Sequence, residues 1–389
     1  MKLSSDDLPF LFAAHHSALA DRLRQAAITL AEVEEPGRHK SEGERDRAAA
    51  AALAEARLLE LVVPTTPAAE GHSPIDTRAV CLAREMLGYV SPRADSIFAV
   101  QGLGTHPIVL AGSEAQRHSL MAFARGAGIA AFALTEPDAG SDVAAIATRA
   151  APTADGYRLD GDKLFISNLG IADHAVVFAS TEPTLKHNGL SAFWVPLERP
   201  GVKVIPMQAT ASHPIGALEL RGVELPASAR IGEPGQGMKL ALATLDAFRV
   251  TVGAAAVGMA RRALDEALAF VTKRSQFGKL LSEQPLVQAH LADMAVDLDA
   301  ARLLVLRAAH LKDSVGGKVT TEVSIAKLGA TEAAFRVIDR AVQLLGGRGV
   351  MDGSVVELLY RAIRPLRIYE GTSEIQRTII GRALAHGAK

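Results

Sequence analysis

Apolar and polar positions follow three different patterns along the chain. In the first part apolar residues recur at helical spacing, from about residue 129 they form short runs between clusters of Gly, Asp, Asn and Pro, and after the segment 232–237 the helical period returns. A 3.6-residue period indicates amphipathic helices, and short apolar runs bounded by turn residues indicate strands. The pattern therefore predicts three domains, at residues 1–128, 129–234 and 235–389.

Three helices are predicted in the first region. One carries Leu19 and Leu23 on its apolar face and would end at the break Pro36-Gly37, a second covers residues 44–61, and Asp76 is placed to cap a third. Together they predict an all-helical first layer.

Short apolar runs define the second region. They cover residues 131–134, 157–159, 175–179, 192–195, 201–206 and 218–220. Long periodic stretches make up the third region, at residues 238–275, 284–314, 320–345 and 353–361. Helices of that length joined by short turns form a bundle. The expected fold class is mainly α with a central β domain: an N-terminal helical domain, a β-barrel-like middle domain and a C-terminal four-helix bundle.

Composition supports packed helices and narrows the possible partners. Hydrophobic residues make up 49% of the chain but aromatic residues only 4%, so the apolar mass is mostly Ala, Leu, Val and Ile. The net charge of -1 argues against nucleic acid or an anionic membrane as the primary partner. A single cysteine, Cys81, excludes an internal disulfide framework and a cysteine-rich metal site.

No membrane span and no metal site are expected. The longest nearly uninterrupted apolar run, residues 251–260, is shorter than the about 20 residues that a spanning helix needs. Acidic residues near the N-terminus, Asp6 and Asp7, are unlike a signal peptide, so a soluble cytoplasmic protein is expected. The adjacent His15 and His16 should point to different sides of a helix and are interpreted as surface residues.

Two polar segments of the strand domain are candidates for ligand binding. Leu134-Thr135-Glu136-Pro137-Asp138-Ala139-Gly140-Ser141-Asp142 follows a predicted strand, and its amides and hydroxyls could hold a polar ring or a phosphate. A solvated turn is the simpler interpretation. The second segment, Gly161-Asp162-Lys163-Leu164-Phe165-Ile166-Ser167-Asn168, is equally compatible with a plain hairpin.

Two segments of the helical bundle are compatible with binding a diphosphate. In Arg274-Ser275-Gln276-Phe277-Gly278 the arginine can clamp a pyrophosphate while the ring covers an apolar face, although a surface arginine extending from its helix is the alternative. Gln343-Leu344-Leu345-Gly346-Gly347-Arg348-Gly349 presents exposed amides at a helix end, and there the alternative is a helix C-cap.

Glu370 is the candidate general base. It precedes Gly371 and a helix that begins at Thr372 or Ser373, and apolar Ile368 and Tyr369 flank it. Partial desolvation of such a carboxylate raises its pKa toward the range of a general base. The rival interpretation is a dipole partner for the helix N-terminus.

Four of these motifs, in this order along a chain of helices, then strands, then helices, resemble those of the acyl-CoA dehydrogenase family. The matching elements are the 134–142 run, Arg274-x-x-Phe277-Gly278, Gln343-x-x-Gly346-Gly347-x-Gly349 and Tyr369-Glu370-Gly371-Thr372. The resemblance extends from about residue 76 to residue 384. The first 75 residues agree only in helical character.

The resemblance implies the chemistry of the family. A bound FAD takes a hydride from the β-carbon of an acyl thioester while a glutamate, here Glu370, removes the α-proton to give the trans-2-enoyl product. Donors aimed at the carbonyl oxygen stabilise the developing enolate, and the family uses the backbone N–H of the glutamate for this. Some members carry the base before an arginine in the helix after the strand domain. That position is Phe248 here, so only Glu370 can serve.

The resemblance also assigns binding residues and an assembly. Cofactor contacts are implied for Phe132, Leu134, Thr135 and Ser141 along the flavin edge, Phe165 and Ser167 against its ring, Thr372 and Glu374 near the adenosine half, and Arg274, Phe277, Gln343 and Gly347 from a neighbouring subunit. Substrate contacts are implied for Ser141, Asp246, Arg249, Tyr369 and Gly371. Since a neighbouring subunit contributes, a homotetramer built as a dimer of dimers is expected.

Two departures from the family pattern leave alternatives open. Phe165 stands where many members have tryptophan, which leaves open whether an electron-transferring flavoprotein or oxygen accepts the electrons. In residues 207–214 the family's glycine and following arginine are both missing, which raises the chance that the acyl group arrives on a carrier protein instead of CoA. An acyl-thioester oxidase and a non-catalytic flavoprotein are the competing hypotheses.

Charged residues near the implied acyl pocket leave the substrate open. If Arg93 faced inward, an acyl group with a distal carboxylate would fit, but an exposed Arg93 is expected. Asp95 could instead meet an amino group.

Overall fold

In a computed structural model, the structure describes residues 1–35, 37–65, 75–314 and 319–387. The predicted break at Pro36 therefore lies partly outside the described residues. The chain divides into two compact units. The helical unit comprises Met1–Ala31, Asp76–Asp95 and Arg249–Lys389, and the sheet unit comprises Glu32–Ile75 and Ser96–Phe248.

Helices dominate the secondary structure. In chain order they are α1 (Ser4–Asp7), α2 (Ala14–Val33), α3 (Glu42–Glu55), α4 (Thr77–Val90), α5 (Pro92–Ala111), α6 (Glu114–Ala124), α7 (Gly237–Val271), α8 (Pro285–Ser314), α9 (Thr320–Leu345), α10 (Val355–Ile363) and α11 (Ser373–Gly387). The strands are β1 (Ala130–Ala133), β2 (Arg149–Pro152), β3 (Gly156–Ser167), β4 (His174–Ser180), β5 (Leu190–Pro196), β6 (Val202–Pro206), β7 (Ile215–Pro226), β8 (Arg230–Ile231), β9 (Ser275–Gln276) and β10 (Lys279–Leu280). The predicted order of a helical region, a strand domain and a second helical region is confirmed, whereas the exact domain boundaries stay a prediction.

The helix predictions hold with one correction. Asp76 caps α4, since its Oδ1 accepts a hydrogen bond of 2.9 Å from the Ala79 N–H. The helix predicted over residues 44–61 is wrong at its C-terminal end, because α3 stops at Glu55. Arg57 has a left-handed backbone, with φ at 55°, and turns the chain away from the helix axis.

One eight-stranded sheet organises the sheet unit. Its strands follow the order β6-β7-β3-β2-β4-β5-β8, and β1 pairs with β4 in parallel. Most neighbouring strands are antiparallel, and a core of buried residues such as Leu159, Val177, Phe193 and Leu220 lies on the sheet. The 134–142 segment follows the end of β1, and the 161–168 segment covers the C-terminal end of β3.

The segment 161–168 is not a hairpin. It continues β3 as far as Ser167, and β3 pairs with β7 with register shifts between Leu159 and Gly161 and between Lys163 and Ile166. Such bulges re-aim side chains at a sheet edge. Here the second irregularity contains Phe165, whose φ is 58°.

Small residues let the helices of the helical unit pack closely. A Cβ added to Gly88 of α4 would lie 2.3 Å from the Ala255 carbonyl oxygen of α7, and one added to Gly258 would lie 2.0 Å from the Glu85 carbonyl oxygen. Both distances are shorter than any real Cβ contact, so the two backbones touch only because these residues are glycine. The aromatic-poor composition reflects this close helix packing.

Helix α7 is long and apolar enough to cross a membrane by length and composition alone. In its most apolar window, however, 72% of the residues are buried inside the protein. A core helix of a soluble protein passes the same test.

The interpretation of His15 and His16 as surface residues on different sides of a helix is correct for the exposure of His15, whose side chain is 63% exposed, but wrong for His16. His16 is fully buried, the two rings are 3.9 Å apart, and both side chains reach Asp76, at 2.8 Å and 3.1 Å. His16 Nδ1 accepts a hydrogen bond from the Ala13 N–H, so its Nε2 carries the proton that it donates to Asp76. A ring nitrogen that donates its proton in this way offers no lone pair to a metal.

Candidate active site

Glu370 occupies a bent loop of the helical unit, between a short 3-10 helix (Arg364–Arg367) and α11. The Ile368 and Tyr369 N–H groups both donate to the Pro365 carbonyl, and the backbone then turns left-handed, with φ at 52° for Glu370 and 90° for Gly371. A left-handed non-glycine residue costs roughly 1–2 kcal/mol and is a common mark of functional sites. Within the described residues the Glu370 N–H meets no acceptor, so it is available as a donor.

The Glu370 carboxylate is set up as a base. Its Oε2 is buried, with no hydrogen-bond partner in the described part of the chain, which argues against the rival role as a helix-end partner. Burial raises the pKa of Glu370 above its usual range; Arg84, Lys327 and Arg249 oppose that rise, and Asp95 adds to it. The net direction is upward, as expected from the sequence.

The residues next to Glu370 complete the loop. Tyr369 is 37% exposed, and Gly371 accepts hydrogen bonds at its carbonyl from Lys327 and Gln376. Thr372 caps the helix, because its Oγ1 accepts from the Ile375 N–H at 3.3 Å. Glu374 lies exposed in the first turn of α11.

Two buried charges neighbour this site and satisfy one another. Arg84 donates from Nε and Nη2 to the two carboxylate oxygens of Asp95, both at 2.8 Å, and from Nη1 to Thr251 at 3.0 Å. Asp95 is thus already engaged by a bidentate partner. The expectation of an exposed Arg93 is wrong, because only 5% of that residue is accessible.

Helix α7 carries the remaining candidates from the helical regions. Arg249 is buried and Asp246 is partly buried. Phe248 is fully buried, and its ring packs edge-on against His106 with centroids 5.4 Å apart. A hydrocarbon side chain at this position cannot accept a proton, so Glu370 remains the candidate base.

In the sheet unit, a buried ion pair anchors the 134–142 segment. Glu136 accepts from the Ala147 and Thr148 N–H groups and from Lys163 Nζ at 2.7 Å, and Lys163 also donates to the Leu134 and Phe178 carbonyls. Burial would raise the pKa of Glu136, but Lys163 and the hydrogen bonds hold it below its usual value. The pair fixes the turn that follows β1, so this segment is held by a buried ion pair and is not a simple solvated turn.

The flavin-edge candidates lie on this anchored segment. Phe132 packs edge-on against Phe178, and Leu134 is buried. Thr135 is half-buried and Ser141 is exposed, and neither hydroxyl has a partner in the part of the chain that the structure describes. These hydroxyls are free to bind a polar ligand.

Phe165 and Ser167 lie at the end of β3. Phe165 is 59% exposed with a left-handed backbone, an unusual state for a large apolar side chain that a flat ligand would cover. The Ser167 hydroxyl lies 3.3 Å from His213 Nε2, and His213 Nδ1 lies 3.1 Å from the Ala211 carbonyl oxygen. His213 belongs to the 207–214 segment that departs from the family pattern.

A cleft of about 620 Å³ joins the two diphosphate candidates of the helical unit. Arg274, Gly346 and Gly347 line it, and side chains added at the two glycines would meet open space. Gly346, with φ at 59°, also caps α9, so the C-cap interpretation is confirmed, while the binding of a diphosphate stays a prediction. Phe277 is 98% exposed in the turn between β9 and β10.

The cleft does not include every predicted residue. Gln343 is exposed on the last turn of α9 and is not part of the lining. Arg348 does line the cleft, with its guanidinium 5.7 Å from the centre of the Phe270 ring. The structure therefore brings Arg274 and Gly347 together as predicted.

Four buried charged residues at these sites were not assigned a role from the sequence. Arg84 and Lys327 contribute to the surroundings of Glu370, while Glu136 and Lys163 anchor the loop after β1. A signal for Lys327 was present, because Val323, Ala326 and Ala330 place it on the apolar face of α9. A charged residue on an apolar face needs a buried partner.

Known proteins resemble this chain in sequence and in fold. Three family models match: the N-terminal domain of acyl-CoA dehydrogenase at residues 14–127, the middle domain at 131–223 and the C-terminal domain at 235–385. A probable acyl-CoA dehydrogenase of Mycobacterium tuberculosis, FadE25, is 37% identical over 368 residues, covering 94% of this chain and 95% of that protein.

Solved structures share the whole fold. Butyryl-CoA dehydrogenase from Megasphaera elsdenii has a TM-score of 0.87 and 31% identity, covering 96% of this chain and 99% of the other. The prolyl acyl carrier protein oxidase AnaB has a TM-score of 0.83 and 26% identity, covering 96% and 99%. The chain therefore belongs to the acyl-CoA dehydrogenase family, whose members are FAD-dependent oxidoreductases.

Proposed function

We propose that this enzyme oxidises the Cα–Cβ bond of an acyl-CoA to the trans-2-enoyl-CoA, with Glu370 as the base. The α-proton moves to the Glu370 carboxylate, and the β-hydride leaves with its electron pair. When bound, FAD supplies the acceptor for that hydride. The same reaction on a carrier-protein thioester is the second candidate.

The Glu370 loop carries this proposal. Its carboxylate is desolvated, one oxygen has no hydrogen-bond partner among the described residues, and its own N–H points to no acceptor there. A thioester carbonyl that accepted this N–H would have its developing negative charge stabilised, as in an oxyanion hole. Base and donor then belong to one residue, which supplies both the proton acceptor and the stabilisation of the enolate that α-proton removal needs.

Each unit by itself carries residues that fit a part of a dinucleotide cofactor. In the sheet unit, the free hydroxyls of Thr135 and Ser141 and the exposed ring of Phe165 suit a flavin. In the helical unit, Arg274 and the open glycines suit the diphosphate of a cofactor bound to a neighbouring subunit. We assign Phe277, with its ring almost fully exposed, to a cofactor in a neighbouring subunit of a homotetramer. The cytoplasm is the proposed location.

An uncharged short acyl chain is the proposed substrate. Arg84 and Asp95 neutralise one another, so neither of these charges is left to bind a distal carboxylate or amino group, and the buried Arg93 is itself engaged within the protein. Butyryl-CoA dehydrogenase is among the structures that share the fold. The similarity to AnaB and the altered 207–214 segment favour the second candidate, a carrier-borne acyl group.

A thioester panel tests the proposal. The FAD-loaded enzyme is mixed without oxygen with butyryl-CoA, glutaryl-CoA and a prolyl thioester on a carrier protein, and the flavin absorbance is followed. We expect butyryl-CoA to bleach the flavin fastest. Faster bleaching by the carrier thioester would favour the second candidate, and an unchanged spectrum with all three would contradict catalysis.

The same preparation identifies the electron acceptor. An electron-transferring flavoprotein is proposed, in which case the bleached enzyme regains its colour quickly with that protein and slowly with air. Rapid recovery in air alone would instead identify an oxidase.

Replacing Arg274 with alanine should weaken FAD binding without unfolding the protein. The side chain is exposed and makes no hydrogen bond within the described ranges, so the fold loses little, whereas a charge-assisted contact to a diphosphate is lost. We expect the Kd for FAD, measured by flavin fluorescence, to rise about 10-fold to 100-fold. Lys273→Ala removes a neighbouring exposed charge and should change the Kd little. Equal effects of the two variants would remove Arg274 from the cofactor site.

A further inference from the structure

Lys327 is a buried cation that the proposed reaction does not require. It lies on α9 with none of its surface accessible, on the face that also buries Val323 and Ala330. Burying an ammonium group is costly unless it is paired and hydrogen-bonded. We therefore expect the Lys327 ammonium group to have specific buried hydrogen-bond partners.

The ammonium group holds the loop that carries Glu370. Lys327 Nζ donates to the Gly371 carbonyl oxygen at 2.8 Å. From α11, Gln376 Nε2 donates to the same oxygen at 3.0 Å and to the Glu370 carbonyl oxygen at 3.3 Å. Two buried donors from two helices thus fix the pair of peptide groups whose φ angles are left-handed. Each donor opposes relaxation of the loop to an ordinary backbone conformation.

The charges around Glu370 come from four helices. Arg84 of α4 and Asp95 of α5 pair with one another, Arg249 belongs to α7, and Lys327 belongs to α9. Burial lowers the pKa of Lys327 to about 8, Glu370 opposes that change, and Arg249 adds to it, while Glu332 and Glu374 oppose it more weakly. With Asp95 neutralising Arg84, Lys327 and Arg249 are the cations that favour an ionised Glu370.

We propose that Lys327 is a positioning residue for Glu370, holding its loop through the hydrogen bond to the Gly371 carbonyl and placing a buried positive charge against that loop. This inference rests on the proposed role of Glu370 as the base. Lys327 touches no reacting atom and acts only through the loop and the local charge.

Lys327→Met tests the inference through the pH profile of flavin bleaching by butyryl-CoA. Loss of a cation beside a buried carboxylate raises the pH at which that carboxylate ionises, by about one pH unit for a close charge. We expect the acid limb of the bleaching rate to move up by that amount and the rate at pH 7 to fall about 10-fold or more. Arg336→Met removes an exposed cation from the outer face of the same helix and should leave both unchanged.

Further variants separate charge from geometry. Gln376→Leu removes the neutral donor to the loop, so it should slow bleaching without moving the acid limb of the pH profile. Lys327→Arg keeps the positive charge, so its acid limb should lie at the native pH. If Lys327→Met fails to fold, Lys327→Gln replaces it.

Two outcomes separate this inference from the proposed function. If a Lys327 variant folds and the acid limb of its bleaching rate stays at the native pH, the inference about Lys327 is wrong; the role of Glu370 still holds if Glu370→Gln no longer bleaches the flavin. If Glu370→Gln still bleaches the flavin, the proposed function itself is wrong.

Discussion

Glu370→Gln should abolish thioester-driven bleaching of the flavin while FAD stays bound. Glutamine has nearly the shape of glutamate but cannot accept the α-proton, and loss of a general base costs about 10²–10⁴ in rate, more where no other base is near. Phe248 offers none, so we expect a loss of at least about 10³-fold. Anaerobic stopped-flow absorbance measures the rate, and the yellow colour of the purified protein reports the cofactor.

Stability provides the control for this variant. Glu370 has its pKa raised on folding, so its contribution to stability is present at low pH and is lost as the pH rises through the folded pKa. Above the folded pKa the ionised group therefore costs stability, and Glu370→Gln should melt no lower than the native enzyme. A variant that is inactive but also unfolded would not support the assignment, and a folded variant that bleaches at the native rate would refute it.

Lys163→Met should destabilise the sheet unit more than any exposed substitution. The change leaves Glu136 buried without its cation, and breaking a buried ion pair costs about 3–5 kcal/mol. Because the pair also anchors the turn that carries Thr135 and Ser141, the FAD content should fall with it. Thermal melting and the flavin-to-protein absorbance ratio measure the two effects.

A matched pair on the same sheet gives the control. Lys203 and Glu219 form an exposed ion pair at 3.4 Å, and Lys203→Met should cost at most about 1 kcal/mol. Adding Glu136→Gln to Lys163→Met removes the lone buried charge and should recover part of the loss. Equal melting temperatures for Lys163→Met and Lys203→Met would show that the buried pair does not support the turn.

Acid should weaken the same anchor. Lys163 and the hydrogen bonds keep the folded pKa of Glu136 below its unfolded value, so the stabilisation is present above the unfolded pKa and disappears as the pH falls through the folded one. The turn is thus expected to loosen at acidic pH.

Local patterns predicted the elements well because they depend on near neighbours in the sequence. The apolar runs at 175–179 and 192–195 fall inside β4 and β5, and α9 begins and ends where its period does. The errors arose where one residue overrides the pattern. Arg57 ends α3 early, and the bulge at Phe165 extends β3 through a segment that resembles a turn.

The site was predictable only where its chemistry lies within one motif. Glu370 was found because its loop, its glycine and the following helix are consecutive in the sequence. Lys327 lies 44 residues before Gly371, and Glu136 lies 27 residues before Lys163, so their pairing depends on the tertiary fold. Periodicity shows that such a residue is buried but not what it is paired with.

Backbone contact between α4 and α7 limits which residues the chain can carry at positions 88 and 258. Gly88 and Gly258 leave no room for a side chain, and Arg84 and Arg249, whose charges act on Glu370, lie within one to three turns of them on the same two helices. A methyl group at either glycine would spread the helices and carry a guanidinium away from the carboxylate. The reactivity of Glu370 as a base therefore depends partly on Gly88 and Gly258, which have no functional group of their own.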